Sequence, residues 1–244
     1  MTPSITWCGH SAVRLILADE REIWIDPWLK DNPTCPAALK EPARCDLVVI
    51  THGHADHVGD VGALIKRFNP PVVANYDLCS ALQHHLGAGR YLGMNTGGTQ
   101  EVEGIRISMT RAYHSSAVET AGGPVYGGMP NGVVIEAAHL ASVYHAGDTD
   151  VFGDMALIAR LFRPRIAMLP IGDLYTMGAA GAALAADLLD PAVILPIHYK
   201  TFPVLAANPD AFHLALPPRL KDRLKTPREG EALRWTSSGV GREC

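Results

Sequence analysis

The stretch Thr51-His52-Gly53-His54-Ala55-Asp56-His57 places three histidines and one aspartate within six residues. The apolar run LVVI at residues 47–50 comes directly before it. A short run rich in β-branched residues predicts a buried strand, so the stretch lies where a strand ends and a loop begins. Ligand-binding residues of open α/β sheets usually occupy such positions. Because imidazole and carboxylate groups bind zinc, iron and manganese, the stretch predicts a metal site rather than a loop of solvated histidines.

The composition is that of an ordinary globular protein. The 244 residues are 48% hydrophobic and 19% charged. A formal net charge of -4 argues against a nucleic-acid partner. No apolar run approaches the ~20 residues of a membrane span, and Met1–Ile5 do not resemble a signal peptide, so a cytoplasmic location is expected. An odd number of cysteines without CxxC spacing predicts reduced thiols, to which we assign no chemistry. These cysteines are Cys8, Cys35, Cys45, Cys79 and Cys244.

Predicted strands and helices recur along the whole chain. We expect one domain, residues 1–244, made of two pseudo-symmetric halves at roughly 1–115 and 116–244. In each half strands precede helices, which predicts two β-sheet layers with helices outside them. Asp77 is the predicted cap of the second helix. The predicted helices cover residues 58–68, 77–86, 153–163, 178–189 and 219–224.

Residues 117–131 are rich in glycine and proline and predict an irregular loop. Since His114 lies just before this loop, the loop could close over a substrate. It could equally be a plain connection, and the sequence leaves both interpretations open.

A histidine or aspartate follows one predicted strand after another. Such residues converge on one edge of a sheet even when they are far apart in the sequence. With the 51–57 stretch they provide enough ligands for two metal ions, with one carboxylate to spare as a bridge. Two cations ~3.5–4 Å apart can share a hydroxide and lower its pKa. The strand-end residues are Asp26, His52–His57, His114, Asp148, Asp173 and His198.

In order and spacing, the 51–57 stretch, His114, Gly147-Asp148-Thr149 and His198 resemble the metal ligands of the metallo-β-lactamase superfamily. Further segments are similar to its compact metal-dependent hydrolase branch near the ascorbate-6-phosphate lactonases. They are more distantly similar to phospholipase-D-type enzymes acting on N-acyl phosphatidylethanolamine. The resemblance covers nearly the whole chain. These segments include Trp7-Cys8-Gly9-His10-Ser11, Ile25-Asp26-Pro27, His114-Ser115-Ser116, Tyr144-His145-Ala146-Gly147-Asp148-Thr149, Pro170-Ile171-Gly172-Asp173 and Pro196-Ile197-His198-Tyr199.

The resemblance implies an α/β fold, a four-layer αββα sandwich, with two divalent metal ions per chain. Zinc is the expected metal, with manganese or iron as alternatives. The superfamily also includes non-hydrolytic diiron proteins in which a glutamate replaces the second histidine of the motif, and His54 argues against that class. By this resemblance His52, His54 and His114 would hold the first ion, Asp56, His57 and His198 would hold the second, and Asp148 would bridge them.

The expected function is binuclear, metal-dependent hydrolysis of a small ester, lactone or phosphoester by a metal-bridging hydroxide. Asp56 or a nearby histidine, His10 or His198, would relay the proton. The alternatives are a phosphodiesterase or nuclease of the same fold and a metal-binding protein without turnover. The expected partner is a small-molecule substrate, and the oligomeric state stays open, a homo-oligomer included.

Two residues near the predicted site have open roles. Asp26 is either a structural cap or, as we favour, the acceptor of a hydrogen bond from a ligand histidine. His10 lies beside Gly9 between two predicted strands. It could be a core histidine, an extra ligand or a substrate contact.

Overall fold

The structure, a computed structural model, describes residues 2–236 and 239–242. The strands are β1 (Ser4–Trp7), β2 (Val13–Ile16), β3 (Glu22–Ile25), β4 (Leu47–Val49), β5 (Pro71–Asn75), β6 (Arg90–Met94), β7 (Thr99–Val102), β8 (Ile105–Arg111), β9 (Ala117–Val118), β10 (Val125–Tyr126), β11 (Asn131–Glu136), β12 (Val143–His145), β13 (Ile166–Pro170), β14 (Val193–Ile197), β15 (Ala232–Thr236) and β16 (Gly239–Arg242). The helices are α1 (Ala55–Val58), α2 (Val61–Phe68), α3 (Tyr76–Leu86), α4 (Met155–Phe162), α5 (Ala179–Leu189), α6 (Asp210–Ala215) and α7 (Pro218–Lys221), with a 3-10 turn at Ala37–Leu39.

Two large sheets organise these elements. The first has eight strands in the order β16-β15-β1-β2-β3-β4-β5-β6, and the second has six in the order β14-β13-β12-β11-β8-β7. Strands β3 to β6 are parallel to one another, as are β12 to β14. Each sheet takes strands from both halves of the chain, because β7 and β8 join the second sheet while β15 and β16 join the first.

The first sheet is buried on both faces, as strand β4 shows. Leu47 and Val49 belong to the hydrophobic cluster that contains Val133 of the second sheet. The alternate residues Val48 and Ile50 belong to a different cluster, formed with α2 and α3. Side chains alternate between the two faces of a strand, so a continuous apolar run serves both clusters. Each such side chain contributes about 1.5–3 kcal/mol by burial.

The helices cover the outer faces of the two sheets. Helices α2 and α3 pack on the first sheet, while α4 and α5 share the cluster of the second. This arrangement confirms the predicted four-layer αββα sandwich. Among the described helices, none has the length and hydrophobicity needed to cross a bilayer. The described cysteines, Cys8, Cys35, Cys45 and Cys79, are free and buried, and Cys244 lies outside the described residues.

The helix predicted at 58–68 is in fact two helices. Helix α1 begins inside the histidine stretch, and the helical conformation is interrupted at Gly59 and Asp60 before α2 begins. At the interruption, the Asp60 carboxylate accepts hydrogen bonds from the backbone N–H groups of Leu29 and Lys30. The prediction of Asp77 as a cap is also wrong. The side chain of Asn75 caps α3 by accepting from the Asp77 backbone N–H at 3.0 Å.

The segment at 117–131 is not entirely irregular. Strands β9 and β10 pair as a short antiparallel hairpin within it. The hairpin lies against helix α3, and the two together line a cavity of about 660 Å³. Strand β6 and helix α6 were absent from the sequence prediction.

Candidate metal centre

The carboxyl ends of parallel strands from both sheets meet at one edge of the sandwich. Residues at such strand ends project into a shared crevice. The residues brought together there are His10 after β1, Asp26 after β3, His52 to His57 after β4, His114 after β8, Asp148 after β12 and His198 after β14. Asp173, which follows β13, is exposed and does not line the crevice.

Asp148 lies at the centre of this group, with its side chain only 3% exposed. Its Oδ2 atom is 2.9 Å from Nε2 of His198 and 3.4 Å from Nε2 of His57. The same oxygen is 3.7 Å from Nε2 of His114 and 3.9 Å from Nε2 of His52. One carboxylate oxygen therefore faces four imidazoles.

His52, His54 and His114, here called the His52 set, form one cluster of donor atoms near Asp148. One donor atom from each lies within 4.8 Å of the others. His52 Nε2 is 3.0 Å from His54 Nδ1, and the hydroxyl of Thr51 is 3.0 Å from His52 Nδ1. The hydroxyl of Ser115 approaches His54 Nε2 at 3.4 Å, near the limit for a hydrogen bond. His52 is buried, whereas His54 and His114 are partly exposed to solvent.

Asp56, His57 and His198, here called the His57 set, belong to a second cluster. Their donor atoms and one from His10 also lie within 4.8 Å of one another. His57, His198 and His10 are buried, and the side chain of Asp56 is 29% exposed. The structure thus divides the predicted ligands into two neighbouring groups.

Asp26 supports the histidine stretch from behind. Its carboxylate accepts hydrogen bonds from the Thr51 N–H at 2.8 Å and the Thr51 hydroxyl at 2.7 Å. It also lies 2.8 Å from Nδ1 of His57. Since that bond orients the ring, Nε2 of His57 is turned towards Asp148. This Nε2 atom is buried and has no hydrogen-bond partner among the described residues.

His10 connects the His57 set to the end of strand β14. Its Nε2 is 3.0 Å from Asp56 Oδ2, and its Nδ1 is 3.0 Å from the Thr201 hydroxyl. Burial lowers the pKa of His10 to about 4, against the opposing hydrogen bond with Asp56. A neutral His10 donates its Nε2–H to Asp56, which leaves Nδ1 to accept from Thr201.

The electrostatics of the edge keep carboxylates ionised beside the imidazoles. Burial would raise the pKa of Asp148, but the nearby His198 and His57 hold it well below its ordinary value. Burial would lower the pKa of His57, but Asp148 and Asp26 hold it well above its ordinary value. For His52 burial prevails, and its pKa lies well below the ordinary value. Asp148 and His52 therefore favour the deprotonated form that binds a metal, and a bound cation would remove the proton from His57.

Three residues at this edge hold left-handed backbone conformations that disfavour side chains. His10 has a φ of 53°, Asp26 of 46° and His198 of 57°. Such residues cost about 1–3 kcal/mol each and persist only where the surrounding structure imposes them. Gly147, at a φ of 64°, meets the same demand without cost, and a Cβ there would lie 2.7 Å from the Asn131 carbonyl oxygen. The fold therefore fixes the direction of these side chains.

The donor set fits divalent metal ions. His57 Nε2 is a buried acceptor or donor with no partner among the described residues, and it points at a carboxylate shared by three other imidazoles. The predicted ligands, five imidazoles and two carboxylates, fall within these clusters and are the ligand types of zinc, iron and manganese sites. Without a cation, this cluster would leave polar atoms buried and unpaired.

A cavity of about 300 Å³ opens beside both sets. Its lining includes two aromatic residues, Tyr175 and Phe202, that the sequence analysis did not single out. Both lie in loops that follow strands β13 and β14. A position after a strand of this sheet is the sequence feature that could have identified them. The lining residues are His54, Asp56, His114, Ser115, Asp148, Tyr175, His198 and Phe202.

Comparisons with known proteins show the family to which the chain belongs. Residues 21–199 match the model of the beta-lactamase superfamily domain. A UPF0173 metal-dependent hydrolase from Koribacter versatilis is 44% identical over 84% of this chain and 88% of its own. Another from Methanosarcina mazei is 39% identical over 94% of this chain and 97% of its own.

A solved structure leads to the same family. A metallo hydrolase from the hyperthermophilic archaeon Ignicoccus hospitalis superimposes with a TM-score of 0.83 and 34% identity. The match covers 95% of this chain and 97% of that one. The chain therefore belongs to the beta-lactamase superfamily and, within it, to the UPF0173 metal-dependent hydrolases.

Proposed function

We propose that this chain is a binuclear hydrolase acting on a small ester, lactone or phosphoester. The observation that carries the proposal is the position of Asp148 Oδ2, which lies within 3.9 Å of an imidazole nitrogen from each of four histidines. Those histidines come from both sets, so one carboxylate can serve two cations. No membrane or nucleic-acid substrate is part of the proposal.

We assign His52, His54 and His114 to the first ion, Asp56, His57 and His198 to the second, and Asp148 to both. When bound, two divalent ions supply a shared hydroxide at neutral pH and polarise the oxygen of the attacked group. Zinc is the proposed metal, and the same nitrogen and oxygen donors also suit manganese or iron.

Asp56 is the group we assign to proton transfer. Its Oδ2 is held by His10 at 3.0 Å, which leaves Oδ1 to face the centre at 4.0 Å from His57 Nε2. The side chain also lines the cavity, so it can contact a reacting water. A buried His10 that donates to Oδ2 keeps Asp56 in this orientation and its carboxylate ionised. Nε2 of His198 lies 2.9 Å from Oδ2 of Asp148.

The binuclear assignment predicts the metal content. Protein supplied with zinc or manganese should bind close to two ions per chain, measured by elemental analysis after removal of free metal. His114→Ala should bind fewer, because it removes a ligand of one ion. His213→Ala is a matched control, since His213 is exposed on helix α6 and does not belong to the clustered donor residues. Saturation of the wild type at one equivalent would refute the binuclear assignment.

Turnover tests the catalytic part of the proposal. The metal-loaded protein should hydrolyse simple esters, lactones or phosphodiesters, and activity should fall when a chelator removes the metal. A protein that binds metal without turnover would show stoichiometric metal and no rate with any of these compounds. Efficient cleavage of structured RNA at physiological salt would favour the nuclease alternative instead.

A further inference from the structure

The walls of the 300 Å³ cavity differ sharply from its floor. The floor consists of three histidines and two aspartates, His54, His114, His198, Asp56 and Asp148. The wall formed by the loops after strands β13 and β14 consists of Tyr175 and Phe202, and Ser115 lies near His54. None of the eight lining residues is a lysine or an arginine.

The Phe202 ring is held in place by two neighbours. It stacks on Trp28 with centroids 5.8 Å apart, and it meets the edge of His10 at 5.6 Å. About a third of Phe202 is nevertheless exposed, at 36%. A ring that is fixed on one side and open on the other presents a preformed apolar surface to the cavity.

Tyr175 offers a second aromatic surface on the same wall. It is 57% exposed, and within the described part of the chain it makes no hydrogen bond or ring contact. Ligand sites are typically lined by apolar and aromatic side chains around a few placed polar groups. Tyr175 and Phe202 are thus placed to cover an apolar or aromatic part of a molecule whose reacting group lies over the floor.

The charge of the site restricts the substrate further, and this step rests on the proposed function. The four positive charges of two divalent ions would be balanced by the carboxylates of Asp56 and Asp148, the Asp26 carboxylate beside His57 and one hydroxide, which leaves no net formal charge. A neutral substrate keeps that balance, whereas a singly charged anion adds one uncompensated negative charge. A dianion such as a phosphate monoester adds two, and no lining side chain is a compensating cation. Uncompensated charge in a confined cavity is costly.

We propose that the substrate is an uncharged carboxylic ester or lactone carrying an aromatic group, and that Tyr175 and Phe202 are the specificity residues that bind this group. In the reaction water adds across the acyl C–O bond. That bond breaks, a new C–O bond forms to the water oxygen, and one proton goes to the departing alkoxide. The products are a carboxylic acid and an alcohol.

The test compares esters of similar intrinsic reactivity. Methyl phenylacetate is neutral and aromatic, methyl acetate lacks the ring, and two further esters carry a carboxylate or a phosphate at the para position. The expected kcat/KM of the metal-loaded protein is about 10-fold higher for methyl phenylacetate than for methyl acetate, as one aromatic contact supplies. Relative to methyl phenylacetate, kcat/KM should be about 10-fold lower for the para-carboxylate ester and about 100-fold lower for the para-phosphate ester, tenfold for each added negative charge.

Two variants locate the preference in the wall. Tyr175→Ser and Phe202→Ser should each reduce several-fold the ratio of kcat/KM for methyl phenylacetate to kcat/KM for methyl acetate. Tyr76→Ser is the matched control, because Tyr76 is 62% exposed and does not line the cavity. The proposal is overturned if the para-phosphate ester is turned over as well as the neutral one, or if the wall variants keep the wild-type ratio.

A binding measurement separates this proposal from the proposed function. Phenylacetamide, a neutral amide analogue, should bind the protein with or without metal, as detected by saturation-transfer NMR. Both wall variants should weaken that binding, and Tyr76→Ser should not. If phenylacetamide binds in this way but no ester is turned over, the hydrolase proposal fails and the aromatic site stands. If esters are hydrolysed without any preference for the ring, the hydrolase proposal stands and the aromatic site fails.

Discussion

The His52 set and the His57 set both contact Asp148 but differ in the hydrogen bonds that orient their side chains. In the His57 set these bonds are direct, from Asp26 to His57 at 2.8 Å and from His10 to Asp56 at 3.0 Å. In the His52 set the connection is indirect, because the Thr51 hydroxyl lies between His52 and Asp26 and donates to Asp26. Beyond Thr51, its support is a 3.4 Å approach from Ser115 to a partly exposed His54.

This difference bears on how firmly each set would hold an ion. Ligands that are oriented by hydrogen bonds lose less conformational freedom when they bind a metal ion. The set with more direct hydrogen bonds to its ligands should therefore have the higher affinity. We therefore expect two resolved steps in a metal titration, with the tighter step at the His57 set. The following variants should alter these steps unequally.

Asp148→Asn should have the largest effect, because Asp148 is common to both sets. The amide lacks the negative charge that balances two cations and is a weaker ligand. Both binding steps and turnover should fall by more than ~100-fold, the upper range for residues that only support a ligand. Metal content and rate at several free-metal concentrations measure this. Asp154→Asn, an exposed aspartate paired with Arg111, is the control. Two tightly held ions in Asp148→Asn would contradict the shared role.

Asp26→Asn should weaken the two steps unequally. The His57 step should lose about 10–100-fold in affinity, because the bond that orients its ring is changed. The His52 step should lose less, since Thr51 intervenes between Asp26 and His52. Competition with a chelator of known affinity resolves the two constants. Loss of both ions as complete as in Asp148→Asn would mean that Asp26 is itself a ligand.

His10→Asn should affect the His57 set alone, by about 10-fold in affinity or rate, the lower range for a supporting partner. Asparagine tolerates the left-handed backbone at this position, so the change removes the bond to Asp56 without adding strain. The acid limb of the pH dependence of kcat/KM should also move to higher pH, because the lost hydrogen bond from His10 lowers the pKa of Asp56. An unchanged pH profile with lowered thermal stability would show that His10 serves packing only.

Thr51→Val should have a smaller effect than His10→Asn. Valine keeps the shape of threonine and removes the hydroxyl between Asp26 and His52, so the His52 step should weaken by less than ~10-fold. Ser115→Ala is the comparison within the same set. The Ser115 contact is long and solvent-exposed, so its loss should be below ~3-fold. A larger effect from Ser115→Ala than from Thr51→Val would reverse the order of support inferred here.

Local patterns in the sequence were enough for most of the fold. Short, continuous apolar runs predicted the buried strands of both sheets, and the residues after them indicated the shared edge. Strand β6 is not predicted from the sequence, because it contains Gly93 and is only half-buried and so lacks a clear alternation of apolar and polar residues. Helix α6 has six residues, too few for a helical period to emerge. The hairpin at 117–126 is not predicted either, because the glycines in and around it favour an irregular loop.

What the sequence by itself determined was the chemistry at the edge. The histidine stretch, Asp148 and His198 are identified by residue type and by their position after strands, and those are local properties. Tertiary structure decided which partners meet, because such contacts depend on packing between elements far apart in the chain. His10 and Thr201 are separated by 191 positions and lie 3.0 Å apart, whereas Asp173 follows a strand and still lies outside the cavity. The aromatic wall of Tyr175 and Phe202 likewise exists only once strands β13 and β14 pair, since pairing alone brings their loops to one side of the cavity.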